Sequence, residues 1–448
     1  MKFKSISMTA LILFGSIFGQ SESLEIDDAE SSTSLQGAFG AVTIDGKIWN
    51  QIALRPTLPF GKLSVAFDMV LYIDQDGNIH DDDWDFSSGE KVKNTIIDKI
   101  YYIRYGNRWD KNYFKIGALD NVTMGYGILL NRYTNTLLYP QVRKVGMEFK
   151  TRAFGINIHG FTNDFKENMG LAGLRISAPV DYGITAGVSW VGDRNQYLGL
   201  RDRDGDGRPD LVDDFPNNND WWVDTDGDGW ADNDTINEFD VDGDGWTDSS
   251  FTSPLFGIVI DPDGVETKPE PINIKEESES FNAFSIDLGM PVVRGGPVSV
   301  DAYSQYAAFL GYTKDPISGK QERAGYGVIP LGLSARFGPA KFNFEFRMVP
   351  KGNFEFGYFD RSYEVERATF QSISGNQGTI VTKDQKLGTY GKQNGYYSSL
   401  SIGLGSLVDA VMAFQNLNGE QYDFDSNSFQ DASNQSFTAI LRLKKGIS

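Results

Sequence analysis

The chain has 448 residues with 41 basic and 61 acidic side chains, a formal charge of −20, 31 Phe, 20 Tyr and 8 Trp, two histidines and no cysteine. The missing cysteine excludes disulfides, thiolate zinc sites and cysteine nucleophiles, and so acidic a balance argues against a basic nucleic-acid surface. Length alone allows two or three soluble domains of about 100 to 200 residues each, but the hydropathy pattern points elsewhere.

Lys2 and Lys4 precede an apolar run from Met8 to Phe18, followed by Gly19 and Ser21. This predicts a secretory signal over 1–21, because the run is shorter than the ~20 residues of a spanning helix. Residues 22–34 read as a linker. No cysteine follows to carry a lipid, and no later stretch of 18 apolar residues exists, which excludes a helical membrane protein.

From there the chain alternates with period two. Val145, Met147 and Phe149 alternate with Glu148 and Lys150, and Phe342, Phe344, Phe346 and Met348 alternate with Asn343, Glu345 and Arg347. Such strands are greasy on one face and polar on the other. The pattern predicts sixteen strands, at 35–44, 47–56, 62–73, 99–108, 112–119, 144–152, 155–162, 170–179, 183–192, 281–292, 298–309, 325–337, 341–354, 395–404, 410–416 and 436–445. Many approach the ~9 to 11 residues of a tilted transmembrane strand. Connections after even-numbered strands are short, and those after odd-numbered strands are long except for the Asp45-Gly46 turn.

Short turns alternating with long loops on an even strand count resemble the bacterial outer-membrane β-barrel class, and in strand number the general porins. The expectation is an all-β chain forming a transmembrane antiparallel β-barrel of about 16 strands. Its first part is 35–192, an extracellular insertion occupies 193–280, and the second part is 281–448. One departure is the C-terminus, Lys445-Gly446-Ile447-Ser448, where many members of the class end on an aromatic residue. The physical logic is that hydrocarbon forces every strand amide to pair within the protein, so outward side chains must be apolar and inward ones can be polar.

By parity Arg55, Arg104, Lys115, Lys150, Arg152, Arg175, Arg336, Arg347 and Arg442 point inward, against Asp68, Glu148, Asp287, Asp301 and Glu345. Nine cations against five anions predict a modestly basic lumen that favours anionic solutes, unless these residues pair across neighbouring strands and merely solvate the wall. The loop 120–143 carries more apolar residues than a solvated loop should, including Leu129, Leu130, Leu137 and Leu138. General porins fold the loop at this ordinal position into the barrel, and the resemblance implies a constriction with Arg132 and Arg143 at its eyelet. A lid or a subunit contact is the other reading.

The most specific motif lies in the insertion. Residues 202–213 read DRDGDGRPDLVD, 224–232 read DTDGDGWAD and 240–248 read DVDGDGWTD. Calcium takes six to eight oxygens, so carboxylates at alternate loop positions with glycines that let the chain curl suit it. The sets are Asp202, Asp204 and Asp206; Asp224, Asp226 and Asp228; and Asp240, Asp242 and Asp244, with Asp210, Asp232 and Asp248 completing or bridging them. Residues 202–248 hold 17 acidic and 2 basic side chains, a self-repulsion that bound cations relieve. The segment resembles the bacterial thrombospondin type 3 calcium repeats. That resemblance adds Asp213 as a ligand of the first repeat, whereas Thr235 and Phe251 stand at the matching positions of the other two. A weaker echo, Asp74, Asp76 and Asn78 followed by Asp81 to Asp83, sits in another long loop.

Catalysis has little support, since the two histidines are His80 in a loop and His159 on an inward face, without a nucleophile and orienting group beside them. The sequence therefore predicts a non-enzymatic, porin-like channel of the bacterial outer membrane for small hydrophilic solutes. Its partners would be membrane lipid and lipopolysaccharide, calcium, and further copies of the chain as an oligomer. The alternative is a surface adhesion or structural protein that uses the barrel as an anchor.

Overall fold

The structure, a computed structural model, describes residues 34–44, 47–78, 99–139, 142–224, 229, 231, 270–294, 298–374, 377–404 and 408–443. The segment 1–33, Asp226, Asp228 and Asp232 of the second acidic repeat, the third repeat with Asp240, Asp242, Asp244 and Asp248, Asp81 to Asp83 and His80 lie outside the described residues. The described chain is all-β and antiparallel. Its one α-helix, α1, is the single turn Tyr363–Glu366, so no described helix is long and apolar enough to cross a membrane.

The chain divides into two units, each described by itself. Of the described residues, the first covers those within 34–107 and 115–117. In it β1 (Ser34–Ile44), β2 (Lys47–Phe60), β3 (Leu63–Phe67), β4 (Met69–Ile73) and β5 (Ile100–Tyr105) form an antiparallel array. β2 pairs with β1, β3 and β4, and β3 with β5. The strand expected at 62–73 is thus broken at Asp68. Its carboxylate turns to the Arg55 guanidinium at 2.7 Å, and its amide donates to the Lys99 carbonyl. β3 and β4 keep one continuous register along β2, and the gap falls where Pro56, which has no amide to donate, stands opposite Phe67.

The second unit holds 108–114 and the described residues from 118 onward, and β6 (Asn112–Gly117) begins in it. An antiparallel meander runs through β7 (Gly146–Ala153), β8 (Ile156–Thr162), β9 (Leu171–Pro179), β10 (Thr185–Asp193), β11 (Phe281–Val293) and β12 (Val298–Phe309). It continues through β15 (Tyr326–Phe337), β16 (Ala340–Val349), β19 (Tyr390–Leu404), β20 (Val408–Asp423) and β21 (Ser428–Leu443). Each strand pairs with the next in this order. All sixteen expected strand positions are occupied.

Two hairpins come in addition, β13 (Tyr312–Lys314) with β14 (Gln321–Arg323) and β17 (Ala368–Ser374) with β18 (Gln377–Thr382). The last three strands outrun their expected ends, and β20 and β21 pair as far as Asp423 and Ser428. Polar residues from Asn416 to Gln421 and from Gln430 to Gln435 erase the alternation there, yet a backbone ladder needs no apolar side chain. The β7–β8 turn is Phe154-Gly155, with φ of 53° and 79°, as a two-residue hairpin loop of the twisted kind requires.

Candidate functional site

Burial on the second unit's sheet is the reverse of that on a water-soluble one. Along β11 the exposed side chains are Ile286, Leu288, Met290 and Val292, and the buried ones include Ser285 and Asp287. Val188 and Trp190 of β10 are exposed while Ser189 between them is buried. On β16, Phe346 is exposed while Glu345 and Arg347 are buried. A sheet facing water on one side places its polar residues outward, so this outer face is built for an apolar surrounding and the other face is polar.

The carboxylates on the polar faces have found their cations. In the first unit Arg55 meets Asp68, and Lys115, wholly buried, sits 4.4 Å from the centre of the Tyr102 ring. In the second, Arg347 Nη2 lies 2.6 Å from Glu345, and its Nη1 donates to Gln415 at 2.6 Å. Glu148 gathers Arg108 at 3.3 Å, Lys150 at 3.5 Å and His159 Nε2 at 3.0 Å. Arg175 of β9 reaches over β10 to Asp287 of β11 at 2.5 Å. Gly187 lies directly between them, and a Cβ there would come within 2.3 Å of the guanidinium. Asp301 pairs with Arg294 at 3.1 Å.

Residues 118–139 fold onto this polar face. Backbone bonds between Val122 and Tyr133 close the loop into a narrow finger, and Leu119, Val122, Met124, Leu130 and Tyr133 are buried in one cluster with Phe161, Leu171, Val191 and Phe281 of the strands. At its tip Gly125 has φ +61°, and a Cβ on it would lie 3.1 to 3.3 Å from Asp287 Oδ2, Arg175 Nε and Gln305 Nε2. Tyr126 stacks on Tyr303 with centroids 4.0 Å apart, its hydroxyl lying over Gly289, where a Cβ would be only 1.8 Å away. Arg175 Nε, Asp287 Oδ2, Ser189 Oγ and both amide atoms of Gln305 are buried here without a protein hydrogen-bond partner. Polar atoms packed this closely and left unpaired call for water or a polar solute.

A second loop, 350–389, covers the finger. Phe359 and Gly357 amides donate to the Leu129 and Ile128 carbonyls at 3.0 and 2.8 Å, and Phe354, Tyr358, Phe359, Tyr363 and Leu387 join the same apolar cluster. Beside it Arg367, 0% exposed, contacts Asp193 at 3.1 Å, Glu364 at 3.1 Å and Glu167 at 3.0 Å. Lys144 lies 2.5 Å from Glu364 and also pairs with Glu167, and the Tyr133 hydroxyl donates to Glu364. Burial alone would raise the Glu364 pKa, but Lys144 and Arg367 overcome it and hold the carboxyl at about 2. Lys383 is likewise buried. Its burial, which would lower its pKa, is outweighed by Glu355, Asp360 and Glu366, which hold it above its ordinary value.

The other residues singled out from sequence fall as follows. Arg104 is half-buried on β5, Arg152 is exposed and donates to Asn157 at 2.7 Å, and Arg336 is exposed with its guanidinium 5.7 Å from the Trp109 ring. Arg442 ends β21. Arg132 lies on the return limb of the finger with φ +57°, and its Nε donates to Asn121 at 3.3 Å. Arg143 is half-buried just ahead of β7. The fold instead gathers Arg175, Asp287, Gln305, Tyr126 and Tyr303. Parity identified the first two, but Gln305 and the tyrosines carried no signal of their own. Aromatic crowding in Phe354-Glu355-Phe356-Gly357-Tyr358-Phe359 was the available sign that the second loop is buried.

In the first acidic repeat the carboxylates of Asp202, Asp204 and Asp206 each bring an oxygen within 4.8 Å of the others. Asp202 accepts from the Gly205 and Gly207 amides at 2.8 and 3.0 Å. Asp213 is 7% exposed, and its Oδ2, like those of Asp204 and Asp206, is buried without a hydrogen-bond partner. Burial first, then the charges of Asp206 and Asp204, push the Asp213 pKa up to about 6. Asp210 faces Arg201 and Arg203 at 3.5 Å, and Asp224 accepts from the Gly229 amide at 3.0 Å. Asp74 of the weaker echo is taken up by its own loop and by Lys47 at 2.7 Å.

No family model matches the chain, the acidic segment included, and no curated protein matches it in sequence. Among solved structures the chain is similar to OmpT, an outer membrane protein of Vibrio cholerae, at 8% identity over 93% of this chain and 97% of that one, with a TM-score of 0.31. It is also similar to the outer membrane protein OpdK from Pseudomonas aeruginosa, at 8% identity over 86% and 80%, with a TM-score of 0.29. A third is Salmonella typhi OmpF, solved in complex with daunomycin, at 8% identity over 92% and 96%, with a TM-score of 0.30.

Proposed function

We propose that this chain is a β-barrel of the bacterial outer membrane, without enzymatic activity, whose polar face lines a narrow passage for small hydrophilic solutes. The observation that carries this reading is the inverted burial of the sheet, with Ile, Leu, Val and Phe outward and Ser, Asp, Gln, Glu and Arg inward. Lipid and lipopolysaccharide would contact the apolar face, which also offers a surface for self-association. The finger at 118–139 narrows the passage, and the unpaired polar atoms around Gly125 mark where water and solute pass its tip. Because the inward carboxylates are ion-paired, selectivity between anions and cations is expected to be weak.

Single-channel recording of the purified protein in planar bilayers tests this. The expected result is a small, steady conductance with a reversal potential near zero in a potassium chloride gradient. Silence from protein shown to be folded and inserted would overturn the proposal.

We further propose that the first acidic repeat binds calcium through Asp202, Asp204, Asp206 and Asp213. What supports it is the convergence of three carboxylates with a buried fourth whose Oδ2 has no protein partner, a donor set of hard oxygens. Adding a chelator is expected to open 202–224 to protease, and readdition of calcium to close it. Asp213→Asn should weaken saturable calcium binding to the full chain. Identical digestion with and without calcium would sink this assignment.

A further inference from the structure

At the loop end of β11 and β12 a cavity of about 300 Å³ lies between the segment leading into β11, the β13–β14 hairpin and the turn at Asp384–Thr389. Two of its walls carry carboxylates, Glu279 and Asp384. Asp384 is 3% exposed, and its Oδ1 accepts from Gln196 Nε2 at 2.8 Å. Among the described residues neither it nor Glu279 has an ion-pair partner. Asp68, Asp193, Asp287, Glu345 and Glu364 are buried to a similar degree and each contacts an arginine, while Asp164, equally buried, has no ion pair among the described residues and accepts instead from the Val145 and Lys166 amides. Burying a carboxylate without a counter-charge is strongly unfavourable.

The group that Glu279 and Asp384 lack is a cation, and the space sets its size. A water molecule's share of liquid volume is about 30 Å³, so the cavity is far too large for a bare ion and suits a small organic molecule. Thr313, Gln321, Gln385 and Asn282 supply neutral hydrogen-bonding groups along the rest of the lining. The one basic side chain there, Lys314, is on the exposed hairpin and pairs with neither acid.

We propose that this cavity binds a small organic ammonium compound bearing hydroxyl or amide groups, its nitrogen held between Glu279 and Asp384. Burial first, and then the Asp384 charge, raise the Glu279 pKa, as expected of two acids sharing one volume. The site stands apart from the proposed passage and does not depend on it.

Titration calorimetry of the folded, full-length protein in detergent, at saturating calcium, tests the assignment with glucosamine as probe and glucose as the matched neutral control. Glucosamine is expected to bind saturably and glucose about tenfold or more weakly, in line with the extra strength of charge-assisted hydrogen bonds. Glu279→Gln should remove that preference, and Asp384→Asn provides a second, independent variant. Absence of saturable glucosamine binding, equal binding of glucose, or variants that bind glucosamine as the parent does would each overturn it. Bilayer conductance measured on the same preparations reports separately on the channel.

Discussion

Arg367→Met is expected to release the second loop from the sheet and to cost roughly 3 to 5 kcal/mol, the usual penalty for removing one partner of a buried ion pair. The guanidinium is the shared counter-charge of Asp193, Glu364 and Glu167, and methionine fills its volume without its charge. Lys144 still serves Glu364 and Glu167 in the variant, but Asp193 keeps neutral donors in place of the guanidinium, the Tyr363 hydroxyl at 2.8 Å and the Asn195 amide at 3.0 Å. Limited proteolysis between 350 and 389, followed against denaturant, reads the effect. Unchanged protection would show that the network does not hold the loop.

Within that network Glu364 contributes a pH dependence with a definite sign. Glu364 is depressed from 4.5 to about 2, so its contribution is fully present above pH 4.5 and fades as pH falls toward 2. The shift corresponds to about 3 kcal/mol at most. Protease protection of the loop in the parent protein should therefore decline between pH 4.5 and 2, with less of that acid-dependent loss left in Arg367→Met.

Phe359→Ala combined with Leu130→Ala is expected to raise the unit conductance while leaving the sheet intact. Both side chains are 0% exposed, and they lie where the finger and the second loop touch, Leu130 bridging to Phe359 through the backbone. Truncating a buried phenylalanine typically costs about 3 to 5 kcal/mol, because a cavity is left behind. The strands keep their own ladder and their apolar outer face, so the damage concentrates in the two loops. Bilayer recording, paired with heat-modified electrophoretic mobility as the check on the sheet, decides the matter. Unaltered conductance from a variant whose loops are shown to be protease-accessible would mean that these loops do not limit the passage.

Much of this architecture is legible in sequence because period-two alternation is local. Phe342 to Met348 announce a strand whatever surrounds them, and all sixteen positions were found in this way. What escaped depends on distant partners. The pairing of Asp68 with Arg55 needs the partner strand alongside, and the extension of β20 beyond Asn416 follows from β21 lying alongside. Leucines at 129 and 130 signalled that the finger is buried, whereas nothing local at 350–389 says that it meets the finger. Parity found Arg175 and Asp287 on one face, but their contact across Gly187 depends on the stagger of three strands, which one sequence does not display.

The contact between Tyr133 and Glu364 joins residues 231 positions apart, which bears on the order of assembly. Strands β7 to β10 can zip up hairpin by hairpin, since each finds its neighbour within a short stretch of chain, whereas the finger must wait for α1 and its flanking loop. Contacts of such long sequence separation carry a large closure entropy and form late. A half-built sheet would therefore hold Leu129, Leu130 and Tyr133 uncovered on its polar side until the loop carrying α1 arrives. Docking of that loop, rather than closure of any one hairpin, is the event that ends this interval.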